Sequence, residues 1–193
     1  MKISGRRHAH LTLLPAQDRD AMPDAIEGPL TVSWAFRRFA PYVARIGTRI
    51  LGWSDQEIDD LVQDVFVEAV AGLRRLKHAS EVRGWLATVT VRVASRRLRA
   101  RRRKQFFFGA ASPIMMEPAS TAASPEERAV IAHVYRCLDQ MPARQRAAWV
   151  MRHVEEERLE DVAKYCECSL ATVKRLIYAA EDWIEKKTNN GPL

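Results

Sequence analysis

The stretch SDQEIDDLVQDVFVEAVAGL, residues 54 to 73, is followed after nine residues by RGWLATVTVRVASRRLRARRRK, residues 83 to 104. In the first, Ser54 and Glu57 form a capping box, because a hydroxyl at the N-cap and a carboxylate three residues on each satisfy an orphan amide of the first turn. Ile58, Leu61, Val62, Val65, Ala69 and Leu73 then recur at three- and four-residue steps and predict one buried stripe. Asp59, Asp60, Gln63, Asp64 and Glu68 fall on the other side. The second stretch reverses the sign, with Arg92, Arg96, Arg97, Arg99, Arg101, Arg102, Arg103 and Lys104 and no acid among them. Its β-branched run, Thr88 to Val91 and Val93, would equally suit a strand. The steps of Trp85, Leu86, Val89, Val93 and Leu98 favour a helix, and the arginines do not alternate. Two neighbouring helices of opposite charge imply two partners, a protein for the acidic face and a nucleic acid for the basic one.

With 193 residues, 47% of them hydrophobic, the chain can hold one ordinary domain or two small ones. No apolar run reaches the roughly 18 residues of a membrane span, and Leu11 to Leu14 is too short for a signal-peptide core, so a cytoplasmic protein with no membrane insertion is expected. Cys137, Cys166 and Cys168 cannot all pair, and Cys-x-Cys without a second such pair is a weak zinc signal even with His133 or His153 nearby. Small apolar side chains are the favoured reading, with no metal and no cofactor. The net charge of +7 asks for an anionic partner, and its distribution says where. Residues 1–104 carry 20 Lys and Arg against 11 Asp and Glu, a net of +9, whereas residues 126–187 carry 11 against 12, a net of −1. A salt-sensitive grip on phosphate therefore belongs to the first half.

Residues 1–30, broken by Pro15, Pro23 and Pro29, read as a disordered N-terminal extension. A first helical domain is predicted over 31–104. It opens near Ser33 on the stripe Phe36, Phe39, Val43, Ile46 and Ile50, with Pro41 expected to kink or split the helix and Gly52 to cap it. Ser80 is the plausible cap of the basic helix. Residues 105–123, rich in Pro, Ser, Ala and Gly, form a linker, although Phe106, Phe107, Phe108, Met115 and Met116 should pack on something, either a domain of this chain or a partner's groove. Ser124, Pro125 and Glu127 start a second domain over 124–187, ahead of a tail at 188–193. Within it, helices over about 159–166 and 170–186, joined by a turn capped by Ser169, form a helix-turn-helix at 159–178, with Ala163, Cys168, Val173 and Ile177 at the packing positions. Ser169, Thr172, Lys174 and Arg175 then lie where side chains reach base edges. An ordinary helical hairpin is the alternative. Trp85, just ahead of the cations, suits either core packing or stacking on an unpaired base. No glycine-rich phosphate loop, His-x-x-x-His or nucleophile with a base at a recognisable spacing is present, so the chain is not expected to be an enzyme.

At these residues the chain resembles the bacterial extracytoplasmic-function sigma factors, the small two-domain sigma subunits of RNA polymerase. Asp59-Asp60-Leu61-Val62-Gln63-Asp64-Val65-Phe66 is similar to the segment that docks on the clamp helices of the largest polymerase subunit. Gly84-Trp85-Leu86 with the arginine-rich helix resembles the part that reads and melts the promoter −10 element. Met141-Pro142-Ala143-Arg144-Gln145-Arg146 looks like the entry to the fourth sigma region, and Ser169, Thr172, Val173 and Lys174 match its −35-reading helix. The resemblance implies an all-α fold of two small helical domains on a flexible linker. It implies core RNA polymerase and promoter DNA as partners, and an anti-sigma factor as controller. Carried onto this chain, polymerase binding falls to Asp60, Leu61, Gln63, Asp64 and Phe66, −10 contacts to Trp85, Arg92, Arg96, Arg97 and Arg99, and −35 contacts to Ser169, Thr172, Lys174 and Arg175. Arg92 stands where the family usually has Asn, Leu176 and Ala179 where it has arginines, and Glu167 where it has the turn glycine. A weak −35 contact is expected, with docking and −10 binding dominant. A stand-alone helix-turn-helix regulator of duplex DNA is the competing reading, and a structural RNA-binding or scaffold protein a third.

Overall fold

The computed structural model describes residues 30–52, 55–108 and 124–189. The N-terminal extension, the Ser54 cap, most of the linker with Met115 and Met116, and the extreme C-terminus lie outside the described residues. Those described form seven α-helices: α1 Val32–Leu51, α2 Asp55–Gly72, α3 Ala79–Phe108, α4 Pro125–Asp139, α5 Ala143–His153, α6 Leu159–Tyr165 and α7 Leu170–Asn189, with a 3-10 turn at Leu73–Arg75.

Thr31 caps α1, its Oγ1 accepting from the amide of Trp34 at 3.2 Å. The helix ends at Gly52, whose φ of 88° calls for glycine and whose N–H donates to Thr48 O at 2.8 Å. Pro41 does not split it: α1 runs unbroken for 20 residues. The tertiary packing of a helix with eight buried residues outweighs the one backbone bond that proline forgoes. The expected stripe is buried except for Phe36, which is exposed and meets Phe66 edge to face at 5.0 Å. All six apolar positions read on α2 are buried. At roughly 1.5–3 kcal/mol for each large side chain removed from water, this stripe is what holds the first three helices together. Gly47 lets α1 and α2 approach closely, since a Cβ there would stand 2.8 Å from Leu61.

The 30 residues of α3 span about 45 Å. The β-branched run is helical, and its hydroxyls are satisfied within the helix: Thr88 donates to Gly84 O at 3.2 Å and Thr90 to Leu86 O at 2.7 Å. Ser80 is not the cap, because α3 begins at Ala79. Glu81 instead reaches back to accept from the amides of Lys77 and His78 at 3.1 and 3.2 Å. The helix continues four residues past the expected boundary, through Phe108. Phe106 and Phe107 pack on each other edge to face at 5.6 Å and remain 86% and 74% exposed, so among the described residues no domain of this chain covers them, and a partner's groove is the reading left.

In the second domain α5, α6 and α7 pack together around Ala147, Val150, Met151, Val162, Val173, Ile177 and Ala180. Ser169 caps α7, its Oγ accepting from the amide of Thr172 at 3.2 Å. Glu167 takes the helix-turn-helix turn at φ 48°. The two domains are not held apart. Helices α5 and α6 lie against α3, α5 also touches α1, and one contiguous buried cluster runs through both.

Candidate nucleic-acid interface

Eight cations within thirteen residues need counter-charges, and much of that need is met inside the chain. Arg97 donates to Asp64 Oδ2 at 2.6 Å and to Glu57 O at 3.2 Å. Arg101 donates to Glu57 Oε2 at 2.7 Å and to Leu51 O at 3.1 Å. Arg92 and Arg96 share Glu68, at 2.6 and 3.1 Å. Burial acts to raise the pKa of the Glu68 carboxyl, but the hydrogen bonds and charges of Arg92 and Arg96 outweigh it and hold the carboxyl below its ordinary range. The acidic side of α2 is thus split in two. Glu57, Asp64 and Glu68 turn toward α3 and neutralise it, while Asp59, Asp60 and Gln63 stay exposed beside the exposed Val67 and Val70.

This geometry divides the residues read as polymerase-binding. Asp60 and Gln63 face outward. Asp64 is half engaged by Arg97. Leu61 and Phe66 are buried at 0% and 5% exposure and set the position of α2. Among the residues read as −10 contacts, Arg96 and Arg99 are exposed, and Arg99 has no ion-pair partner among the described residues. Arg97 is mostly committed to Asp64. Trp85 is half-buried with its ring over Gly72, where a Cβ would come within 2.1 Å of Cζ2. Its indole is therefore seated in the fold, which favours packing as its main role. The −35 set is together at the start of α7: Ser169 and Thr172 bond each other at 2.9 Å, Arg175 donates to Thr172 Oγ1 at 3.4 Å, and Lys174 is exposed.

Sequence reasoning missed a set of residues on the seam between the domains. Glu155 has a side chain 2% exposed, accepts from Arg45 at 3.1 Å and also pairs with Arg49. Glu157 pairs with Arg83 at 3.2 Å, and Arg83 in turn lies over the Tyr42 ring at 4.7 Å. Burial pushes the Tyr42 phenol far above its ordinary pKa, and its hydroxyl has no hydrogen-bond partner among the described residues. Arg102 donates to the carbonyls of Asp139 and Met141. Arg146 is buried to 1% exposure beside Asp139 at 3.5 Å, and burial pushes its pKa down to about 10. Glu155 and Glu157 pair with arginines more than seventy residues away, a spacing that carries no local signal, which is why those pairs could not be read from periodicity.

Cys137 and His133 lie one turn apart, with Sγ and Nε2 at 3.6 Å, and burial raises the Cys166 thiol to about 12. Among the described residues no group of three or more His, Cys, Asp or Glu side chains is placed to hold a metal, and no helix is long and apolar enough to cross a membrane.

Two docked helical domains, the first with a charge-paired basic helix and the second a helix-turn-helix, define the class of protein. Residues 35–104 match the family model described as Sigma-70 region 2, and residues 131–184 the one described as Sigma-70, region 4. The chain is 25% identical over 162 residues to the ECF RNA polymerase sigma-E factor of Escherichia coli strain K12, covering 78% of this chain and 82% of that protein. It is 28% identical over 142 residues to the RNA polymerase sigma-H factor of Pseudomonas aeruginosa, covering 68% and 72%. In fold it is similar to the sigma factor RpoE from Bartonella quintana, solved with the anti-sigma factor NepR, at a TM-score of 0.62 and 19% identity over 83% of this chain and 98% of that one. The chain belongs to the extracytoplasmic-function sigma factors of the sigma-70 family, all-α proteins of transcription initiation.

Proposed function

We propose that the chain docks on core RNA polymerase through the outward side of α2, holds the opened −10 strand with α3, and makes a weaker −35 contact with α7. The observation that carries this reading is the split charge of α2. Its inner carboxylates are spent on the α3 arginines, whereas Asp59, Asp60 and Gln63 stand exposed, with no ion-pair partner among the described residues, beside exposed Val67 and Val70, an apolar patch with a polar rim of the kind interfaces use. For DNA, the exposed Arg96 and Arg99 supply phosphate contacts, and Arg92 joins them when its carboxylates are exchanged for phosphate. Trp85 supports the strand from a half-buried seat. In α7 only Lys174 and Arg175 add positive charge near the Ser169 cap, while Glu181 and Asp182 follow, so duplex binding by this domain alone is weak. Residues 31–104, 105–123 and 124–187 serve as docking and −10 domain, connector through the enzyme, and −35 domain. The site of action is the cytoplasm, with polymerase, and an anti-sigma factor is the fitting controller.

Charge reversal at Asp60 tests the docking step without touching an internal ion pair. The variant Asp60→Lys should lose at least tenfold in pull-down of core polymerase while its helical circular dichroism stays that of the wild type. Unchanged retention on the polymerase would remove α2 as the docking face.

A further inference from the structure

Where the two domains meet, Glu155 takes Arg45 and Arg49, and Glu157 takes Arg83, so each of these guanidinium groups has its carboxylate. One place breaks that pattern. A cavity of about 270 Å³ has three guanidinium groups on its lining, from Arg92 and Arg99 of α3 and Arg144 of α5, and a single carboxylate, that of Glu167. Arg92 is already paired, with Glu68 at 2.6 Å and Glu167 at 3.4 Å. Arg99 has no ion-pair partner among the described residues, and Arg144 reaches only the carbonyl of Cys166, at 3.4 Å. Two guanidinium groups thus share a small space without an acid of their own, an arrangement that repels itself until an anion enters. The thiol of Cys166 adds no negative charge, because burial keeps it protonated with its pKa pushed up to about 12.

The rest of the lining is of a different kind. Val91, Ala147 and Tyr165 are buried and give the cavity an apolar floor with one aromatic ring. The buried Ser95 makes no side-chain hydrogen bond among the described residues and offers its hydroxyl to a ligand. A charged rim over an apolar floor with few polar groups is the make-up of a small-molecule site, and the volume is near the lower end for such sites. A ligand with a flat ring at one end and phosphate at the other meets both halves. We infer that this cavity is a binding site for a free nucleotide of the nucleoside diphosphate class, with its base against Val91 and Tyr165 and its phosphates between Arg99 and Arg144. Guanidinium groups suit that place because they hold phosphate oxygens in bidentate pairs. The bound nucleotide also takes Arg99, which the function proposed above gives to the −10 strand. On that reading, nucleotide and strand compete.

The test is isothermal titration calorimetry of the full chain with ADP, GDP, CDP and UDP in turn, at about 0.15 M salt. At least one should bind with a dissociation constant below about 1 mM, and about tenfold more tightly than inorganic pyrophosphate. Arg144→Gln and Arg99→Gln, exposed on opposite walls, should each weaken it about tenfold, the loss of one charge-assisted pair, while Arg74→Gln, exposed and away from the cavity, stays within about twofold. No binding by any of the four, equal affinity in all three variants, or pyrophosphate binding as tightly as the nucleotide overturns the site. Saturating nucleotide should also weaken the hold of the free chain on a fluorescent single-stranded DNA at least about fivefold, and unchanged strand affinity overturns the competition. Promoter opening with core polymerase is scored separately. Opening with no nucleotide bound by the chain overturns the site and leaves the proposed function standing. Nucleotide binding that needs Arg144, with no promoter opened, does the reverse.

Discussion

Glu167 holds a left-handed backbone at φ 48°, a conformation that costs a side-chain-bearing residue about 1–2 kcal/mol and that glycine adopts freely. The gain that offsets it is the contact with Arg92, but both side chains are about half exposed, and such pairs contribute only about 0–1 kcal/mol. The strain term is the larger. Glu167→Gly should therefore raise the thermal midpoint by about 1–3 °C even though it deletes a contact between domains. A lower midpoint by calorimetry would mean the Arg92 pair outweighs the strain. Gly72 is the reverse case, a glycine whose φ is ordinary but whose missing Cβ makes room for the Trp85 ring. In Gly72→Ala the indole must move, at a cost of about 1–3 kcal/mol in stability, with a shifted tryptophan emission as the optical sign. An unchanged denaturation midpoint would show that Trp85 is free to swing out, the behaviour of a pure stacking platform.

Among the elements, α2 and α3 are clamped by three carboxylates spaced along one side of α2, Glu57, Asp64 and Glu68, facing Arg101, Arg97, and Arg92 with Arg96. The acidic and basic helices were both legible from periodicity, and the helix-turn-helix from periodicity and its Ser169 cap, because each signal is local. That the two charged helices spend half their charge on each other was not legible, since the pairing depends on how α3 is rolled against α2. The motif likewise placed Leu61, Gln63 and Phe66 on one segment, and only packing shows that Leu61 and Phe66 face inward while Gln63 faces out. The clamp has a pH signature. Glu68 titrates below its ordinary value in the fold, so its contribution is fully present above the unfolded pKa, near 4.5, and is lost as pH falls through the folded value. The difference in unfolding midpoint between wild type and Glu68→Gln should hold steady from pH 8 to about 5 and shrink below about 4.5. A difference that widens in acid would contradict the assignment.

At the scale of the whole molecule, the uneven charge of the halves was visible in the sequence as a basic first half and a near-neutral second, and it pointed the nucleic-acid grip at α3. What the halves do to each other was not visible. Glu155 is buried between two α1 arginines, and Glu157 and Glu167 reach α3, contacts made across more than seventy residues of chain. The consequence is an uneven molecule: an exposed outer face on α2, a basic α3 partly overlain by the second domain, and a helix α7 with little charge near its start. Transcription in vitro with purified core polymerase, on a template library, tests that assignment most directly. Adding the chain should produce new transcripts starting at a discrete set of sites that share a −10 sequence. If the transcripts made by core polymerase are the same with and without a saturating amount of the chain, the account is wrong.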